Sequence, residues 1–188
     1  KKTIAPDDIL GKTATLSMAR PKDTPRIVNG IVTSISAGPV ARDHRHYTLV
    51  VSPMIWTLGR TSDYKVFQKK KVPDILAELL TGMKFKDTLK GQYEQREYCT
   101  QFGETDLAFF QRLIAEEGIF YYFTHTASDH TLVLCDVATA YADCAQDSIE
   151  YRQDADNTAD AVSEFAMGSH LTETSWTLSD YDYEVSTD

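Results

Sequence analysis

His44 and His46 are spaced to share one face of a β-strand, and two imidazoles so placed supply half of a tetrahedral zinc site. Their neighbours in sequence supply no further ligand. His125 and His130 flank a short polar loop, while Cys135 and Cys144 stand nine positions apart, so any metal centre would have to be collected from separate regions. The histidines are therefore read as exposed loop residues. Cys99 falls inside a strand-like run and Cys135 ends an apolar one, positions where a thiol behaves as a small buried hydrophobe rather than a nucleophile. Three cysteines, an odd number without a C-x-x-C pair, do not make a disulfide framework and fit a reducing compartment.

Four carboxylates offer the other chemistry. Glu104 with Asp106, and Glu116 with Glu117, are the residues a glycosidase mechanism would need, an acid and a base or nucleophile across one bond. A helix accounts for the first pair, because negative charge is favourable at a helix N-terminus. Glu116 and Glu117 sit at the unfavourable end of the same helix, which points to a basic neighbour or a partner. The sequence contains no G-x-S-x-G, H-E-x-x-H, G-x-G-x-x-G or Walker-type loop. No catalytic residue, cofactor-binding residue or metal ligand is assigned, no cofactor is expected, and interface residues are left unassigned.

The elements that would position these residues are legible in part. Thr13 to Met18, Arg26 to Ser36 and His46 to Ser52 read as three strands of an antiparallel meander, with Gly30 marking a bulge or close approach and Ala37-Gly38-Pro39 ending the second strand. After Arg60 the period changes. Pro73 at a first helical position, apolar Ile75, Leu76, Leu79 and Leu80, and Gly82 predict a helix near 73–81. Tyr93 to Phe102 reads as a strand. Thr105 as a cap, Asp106 in the first turn, Leu107, Phe110, Leu113 and Ile114 on one side and Gly118 as a stop predict a helix over 105–117. Ile119 to Thr124 and Thr131 to Cys135 then form a hairpin over 119–135, whose alternation turns either Tyr121 and Phe123 or Phe120 and Tyr122 away from that helix, a side that needs another layer. The stretch 136–160 reads as an acidic connection with a short strand at Ser148 to Arg152, followed by strands near Ala161 to Ala166 and Ser175 to Ser179.

Charge is divided unevenly. The 188 residues carry a net −9, but residues 136–188 hold Arg152 alone against 13 acidic side chains, while residues 1–135 are slightly basic. An acidic chain lacks the cations that nucleic-acid binding requires, so nucleic acid is not expected as a partner. No apolar run approaches a spanning helix, and Lys1 to Pro6 show no signal-peptide stretch, so neither stable membrane insertion nor a signal peptide is expected.

The order of segments is similar to a known family. Arg26-Ile27-Val28-Asn29-Gly30-Ile31-Val32, Tyr47 to Pro53, Phe67-Gln68, Val72-Pro73-Asp74-Ile75-Leu76, Arg96 to Phe102, Glu104-Thr105-Asp106 and Glu116-Glu117-Gly118-Ile119 to Phe123 resemble the hub segment of VgrG proteins, the valine-glycine repeat spikes of bacterial type VI secretion. The resemblance runs from about Ile9 to Glu184. It implies an α+β, mainly β fold of phage baseplate hub type: a barrel-like β segment over 1–60, an α/β insertion over 61–135, and an acidic connection with returning strands over 136–188. It also implies a homotrimer in the full-length protein, a hexameric Hcp-type tube as partner, possible effector cargo, and assembly in the cytoplasm before export by contractile injection. The hub of a contractile phage or prophage tail is the alternative, and a secreted wall-cleaving hydrolase a more distant one. The resemblance enters inside the family's N-terminal module and stops before its oligonucleotide-fold-like module and β-helical needle, and no Val-Gly dipeptide occurs. The chain is therefore expected to be a portion of a longer protein, monomeric or weakly associating by itself, with association favoured by salt.

Overall fold

The computed structural model describes residues 4–19, 24–41, 44–141, 148–152, 161–175, 177 and 179, in two compact units, 1–145 and 146–188. The first unit opens with a single helical turn, α1 (Pro6–Ile9), and a meander of β1 (Thr13–Met18), β2 (Arg26–Ala41) and β3 (His44–Ser52). All pairings are antiparallel, Thr15 standing opposite Asn29 and Ile31 opposite Ser52. Gly30 is required at a close approach, because a Cβ there would stand 2.6 Å from the Ser52 carbonyl oxygen. The bulge itself falls two residues on, between Val32 and Ser34.

Two expectations for this region change. Ala37-Gly38-Pro39 does not end β2; the register slips by one between Ala37 and Val40, so Pro39 sits in an irregularity where the ladder asks no N–H of it. Nor do the sheets of the described residues close into a barrel: the meander has three strands, and the remaining sheets have two or three.

Pro53 closes β3 and caps a 3-10 helix, Met54–Arg60, which buries Ile55 and Leu58. β4 (Ser62–Lys71) then runs into α2 (Val72–Leu79), and this strand escaped the sequence pattern. Its lysines explain why: only Phe67 of the strand is buried, while Lys65 and Lys70 lie over the Phe67 ring and both reach Glu78 of α2. Pro73 occupies the second helical position rather than the first, and Asp74 accepts from the Lys71 N–H at 3.3 Å. β4 pairs antiparallel with β6 (Gln95–Thr105), and β5 (Phe85–Asp87), also unforeseen, pairs parallel with β8 (His130–Cys135).

α3 (Asp106–Glu116) forms as its signals direct. Thr105 Oγ1 accepts from the Ala108 N–H at 3.1 Å. Beyond Glu117, Gly118 turns to φ +67, the Ile119 N–H reaches the Ile114 carbonyl at 2.8 Å and the Gly118 N–H the Ala115 carbonyl at 3.4 Å, a Schellman closure. Its apolar stripe, Phe109, Phe110, Leu113 and Ile114, fills the core with Val72, Ile75, Leu76 and Leu80 from α2 and its end, and Phe67 stacks on Phe109 with centroids 5.6 Å apart. β7 (Phe120–His125) resolves the question of its two faces. Tyr121 and Phe123 pack against the core, Tyr121 edge-on to Phe110, while Phe120 stacks on Tyr141 at 4.8 Å and Tyr122 lies near the same ring.

In the second unit β9 (Glu150–Tyr151) pairs parallel with β10 (Ala161–Val162). The strand expected over Ala161 to Ala166 is thus two residues long, and the one over Ser148 to Arg152 likewise. Of the last expected strand, Ser175, Thr177 and Ser179 are not in strand conformation, and Trp176 and Leu178 lie outside the described residues, as does most of the acidic connection.

Candidate functional site

The histidines divide into two environments. His44 and His46 are exposed, as expected, but they lie in β3 rather than in a loop. His125 and His130 are not loop residues: they face each other across the β7–β8 pair, their ring centroids are 6.0 Å apart, and His130 is only 7% exposed. The correction has a backbone cause. β3 ends opposite Ile31, so on the edge away from β1 the N-terminal part of β2 has N–H groups with no strand beside them. The tip of the hairpin fills that place, and the Asn29 N–H donates to His125 Nδ1 at 3.1 Å. His130 Nε2 accepts from the Met54 N–H at 2.9 Å, and its Nδ1 lies 3.1 Å from Asn29 Oδ1. Because Nε2 is an acceptor, the ring proton belongs on Nδ1, which donates to Asn29. The Asn29 side-chain amide donates in turn to Thr15 Oγ1 at 2.7 Å, and that hydroxyl to the Ala127 carbonyl at 3.1 Å. One buried asparagine and two imidazoles therefore join the meander, the 3-10 helix and the β7–β8 hairpin. Burial pushes the His130 imidazole below its ordinary value, against the pull of Asp129. Among the described residues no three histidine, cysteine or acidic side chains stand close enough to hold a metal ion.

The carboxylates are brought together, but as ion pairs. Arg96 of β6 binds Glu116 at 2.7 Å and Glu117 at 2.6 Å, and Arg112 binds Glu104 at 2.7 Å and Glu116 at 3.1 Å. Those arginines are the basic neighbours that the end of α3 asked for. Burial works to raise the Glu116 carboxyl, but hydrogen bonds from Arg96 and Arg112 outweigh it and hold the group below its ordinary range. A general acid needs the opposite shift. Asp106 spends both oxygens within the fold, one on Gln101 Nε2 and one on the Thr61 hydroxyl. Cys99 is buried on the inner face of β6, and Cys135 is buried with its sulfur 3.1 Å from Thr88 Oγ1. Cys144 lies outside the described residues.

The feature that sequence reasoning missed is a surface. The outer face of the β4–β6 pair presents Tyr64 and Val66 opposite Phe102 and Thr100, and then Tyr98, with Tyr64 73% and Phe102 79% exposed. The Tyr64 and Phe102 rings meet edge to face at 5.2 Å. The meander also leaves Leu16, Val40, Leu49 and Val50 exposed. Isolated exposed apolar residues are ordinary, but apolar side chains paired across a ladder form a continuous patch of the kind that marks an interaction surface. The alternation of Tyr64, Val66 and Phe67 was the available signal, and it was hidden by the lysines around it.

Comparison with known proteins places this architecture. The phage tail baseplate hub (GPD) family matches residues 1–187. The type VI secretion system spike protein VgrG1c of Pseudomonas aeruginosa is 34% identical over 184 residues, 95% of this chain and 25% of its own length. The spike protein VgrG3 of Vibrio cholerae is 37% identical over 133 residues, 69% of this chain and 13% of its own. A solved structure of the E. coli c3393 protein, a component of the type VI secretion system with structural similarity to the T4 bacteriophage tail proteins gp27 and gp5, superposes with a TM-score of 0.71 at 27% identity, covering 76% of this chain and 41% of that one. The chain thus spans about a quarter or less of the length of these curated relatives.

Proposed function

The chain belongs to the phage tail baseplate hub family, and from that membership we propose that it forms hub structure in a type VI secretion spike, the adaptor between a hexameric Hcp-type tube and a trimeric spike. The observation that carries this reading is the match to spike proteins along 95% of the chain. The exposed ladder of Tyr64, Val66 and Phe102 supports it, since a hub must offer apolar surface to neighbouring subunits. Three copies closing a ring give the full-length protein threefold symmetry. The segments over 1–60 and 61–135 serve as the ring-forming β part and its α/β insertion, and the segment over 136–188 as the connection onward. Assembly takes place in the cytoplasm and the finished spike leaves by contractile injection, with effector cargo carried by other parts of the gene product. No helix among the described residues is long and apolar enough to cross a membrane. The role is structural, and the ion-paired state of Glu104, Glu116 and Glu117 favours it over wall hydrolysis.

A second reading, the hub of a contractile phage or prophage tail, is favoured by the description of the family and by the likeness of the E. coli structure to T4 tail proteins. Deleting the gene in its native host separates the two. A secretion hub is expected to be needed for release of tube protein into the medium by growing cells, with rescue by the intact gene. Undiminished release, together with loss of phage particles on induction, would replace the first reading with the second.

A further inference from the structure

We propose that Asn29, His125 and His130 form an acid-released clasp, which holds the β7–β8 hairpin against β2 and the 3-10 helix at neutral pH and lets go of them on protonation while the helical core stays folded. Each imidazole contributes a lone pair to a backbone N–H of another element: His125 Nδ1 to Asn29 and His130 Nε2 to Met54. A proton added at His130 Nε2 turns the acceptor into a donor pointing at a donor, so the bond is replaced by repulsion and the Met54 N–H is left without its partner. The Nδ1–H of His130 already donates to Asn29 Oδ1, so the ring has no other arrangement that would keep the Met54 bond.

The surroundings decide the direction. From the hairpin loop Asp129 faces His130, but its carboxylate is engaged by Lys84. β1 and β2 present the uncharged Thr15 and Asn29, the 3-10 helix presents the Met54 N–H, and β7 presents Phe123 and His125. Burial disfavours the His130 cation, Asp129 favours it, and His125 disfavours it, with a net lowering. The folded chain thus holds fewer protons than the unfolded one as the pH falls below the unperturbed value of about 6.5. Stability from the clasp is complete above that value and is lost as the pH falls through the lower folded value. A pocket of about 280 Å3, lined by Met54, Lys84, Asp129 and His130 among others, opens this junction to water, so the proton does not have to wait for unfolding. The core of α2, α3, β4 and β6 contains no histidine, so the same proton has no counterpart there.

The test uses the 188-residue chain. Long-range nitrogen–proton NMR of the imidazoles reads the tautomer and titration, and amide exchange, corrected for the intrinsic pH dependence, is compared at pH 7.5 and 5.0. The expected result is an Nδ1–H tautomer for His130 at pH 7.5 and a fall of at least about tenfold in protection at Met54 by pH 5.0, with Phe110 and Leu113 unchanged. His130→Gln keeps an amide oxygen near the Met54 N–H but does not titrate, and it is expected to reduce the change at Met54. Equal protection at both pH values, or a loss spread evenly into α3, would overturn the proposal. These wild-type readouts decide the matter even if the variant fails to fold.

Discussion

Leu113 is completely buried at the centre of the α3 stripe, between Phe109 and Phe110 on one turn and Ile114 beside it, so the two substitutions Leu113→Ala and Leu113→Asp measure how far the first unit depends on that helix. Truncation to alanine removes the transfer free energy of the missing methyl groups and leaves a cavity, together about 2–5 kcal/mol. A unit of this size shifts its melting temperature by roughly 2–4 °C per kcal/mol, so the alanine variant is expected to melt on the order of 10 °C lower while still folding. Aspartate loses the same contacts and adds a carboxyl with no partner in a site of apolar neighbours, several kcal/mol more in approximate terms. Set against a total stability of about 5–15 kcal/mol, that sum removes the cooperative transition. Circular dichroism at 222 nm during a thermal ramp reads both outcomes, with Gln111→Ala on the exposed side of the helix as the control, expected to change stability by less than about 0.5 kcal/mol. Melting of Leu113→Asp within two or three degrees of wild type would mean that α3 does not bury this face, and the account of the core would be wrong.

Arg96→Met leaves Glu117 unpaired and Glu116 with Arg112 alone at the C-terminal end of a helix, where negative charge is unfavourable, and is expected to cost about 1 kcal/mol in urea unfolding. Because the folded Glu116 carboxyl lies below its ordinary 4.5, its stabilisation is present above that pH and lost as pH falls through the lower folded value. The variant should therefore show a shallower acid limb than wild type, and an unchanged limb would contradict the assignment. Gly30→Val places a side chain against the Ser52 carbonyl and the Val51 methyl, and is expected to lower stability by roughly 1–3 kcal/mol or to shift the β2–β3 register, read from cross-strand nuclear Overhauser effects. The double variant Tyr64→Ser, Phe102→Ser alters side chains already in water, so the melting temperature of the 188-residue chain should hardly move, whereas assembly of the full gene product should fail. A large drop in melting temperature would show instead that this face is covered within the chain.

How much of this was written locally depends on the element. α3 could be read almost to the residue because its cap, its stripe and its stop lie within one 14-residue window, and Thr105, Leu113 and Gly118 each act within that window. β4 could not, because its buried residue is a single phenylalanine among lysines, and its apolar Tyr64 and Val66 point to solvent, reversing the pattern by which a half-buried strand is recognised. Pro39 misled for a related reason: a proline forbids a ladder hydrogen bond only where the register demands one, and the slip between Ala37 and Val40 removes that demand at Pro39. His125 and His130 were misplaced because what buries them comes from Asn29 and Met54, 76 to 101 positions away in sequence. The barrel, too, is a property of how strands meet rather than of any one strand. The roles of Glu116 and Glu117 lay between the two cases, since the helix end announced that cations were needed without saying that Arg96 and Arg112 would supply them.

Hub structure in a spike requires a trimer that engages the tube. Native mass spectrometry of the full gene product, alone and after mixing with purified tube hexamer, tests it most directly. The expected spectrum has three copies of the gene product in one particle, and one such trimer to one tube hexamer in the mixture. A monomer or dimer that ignores the tube protein under conditions where the hexamer is intact would contradict the account.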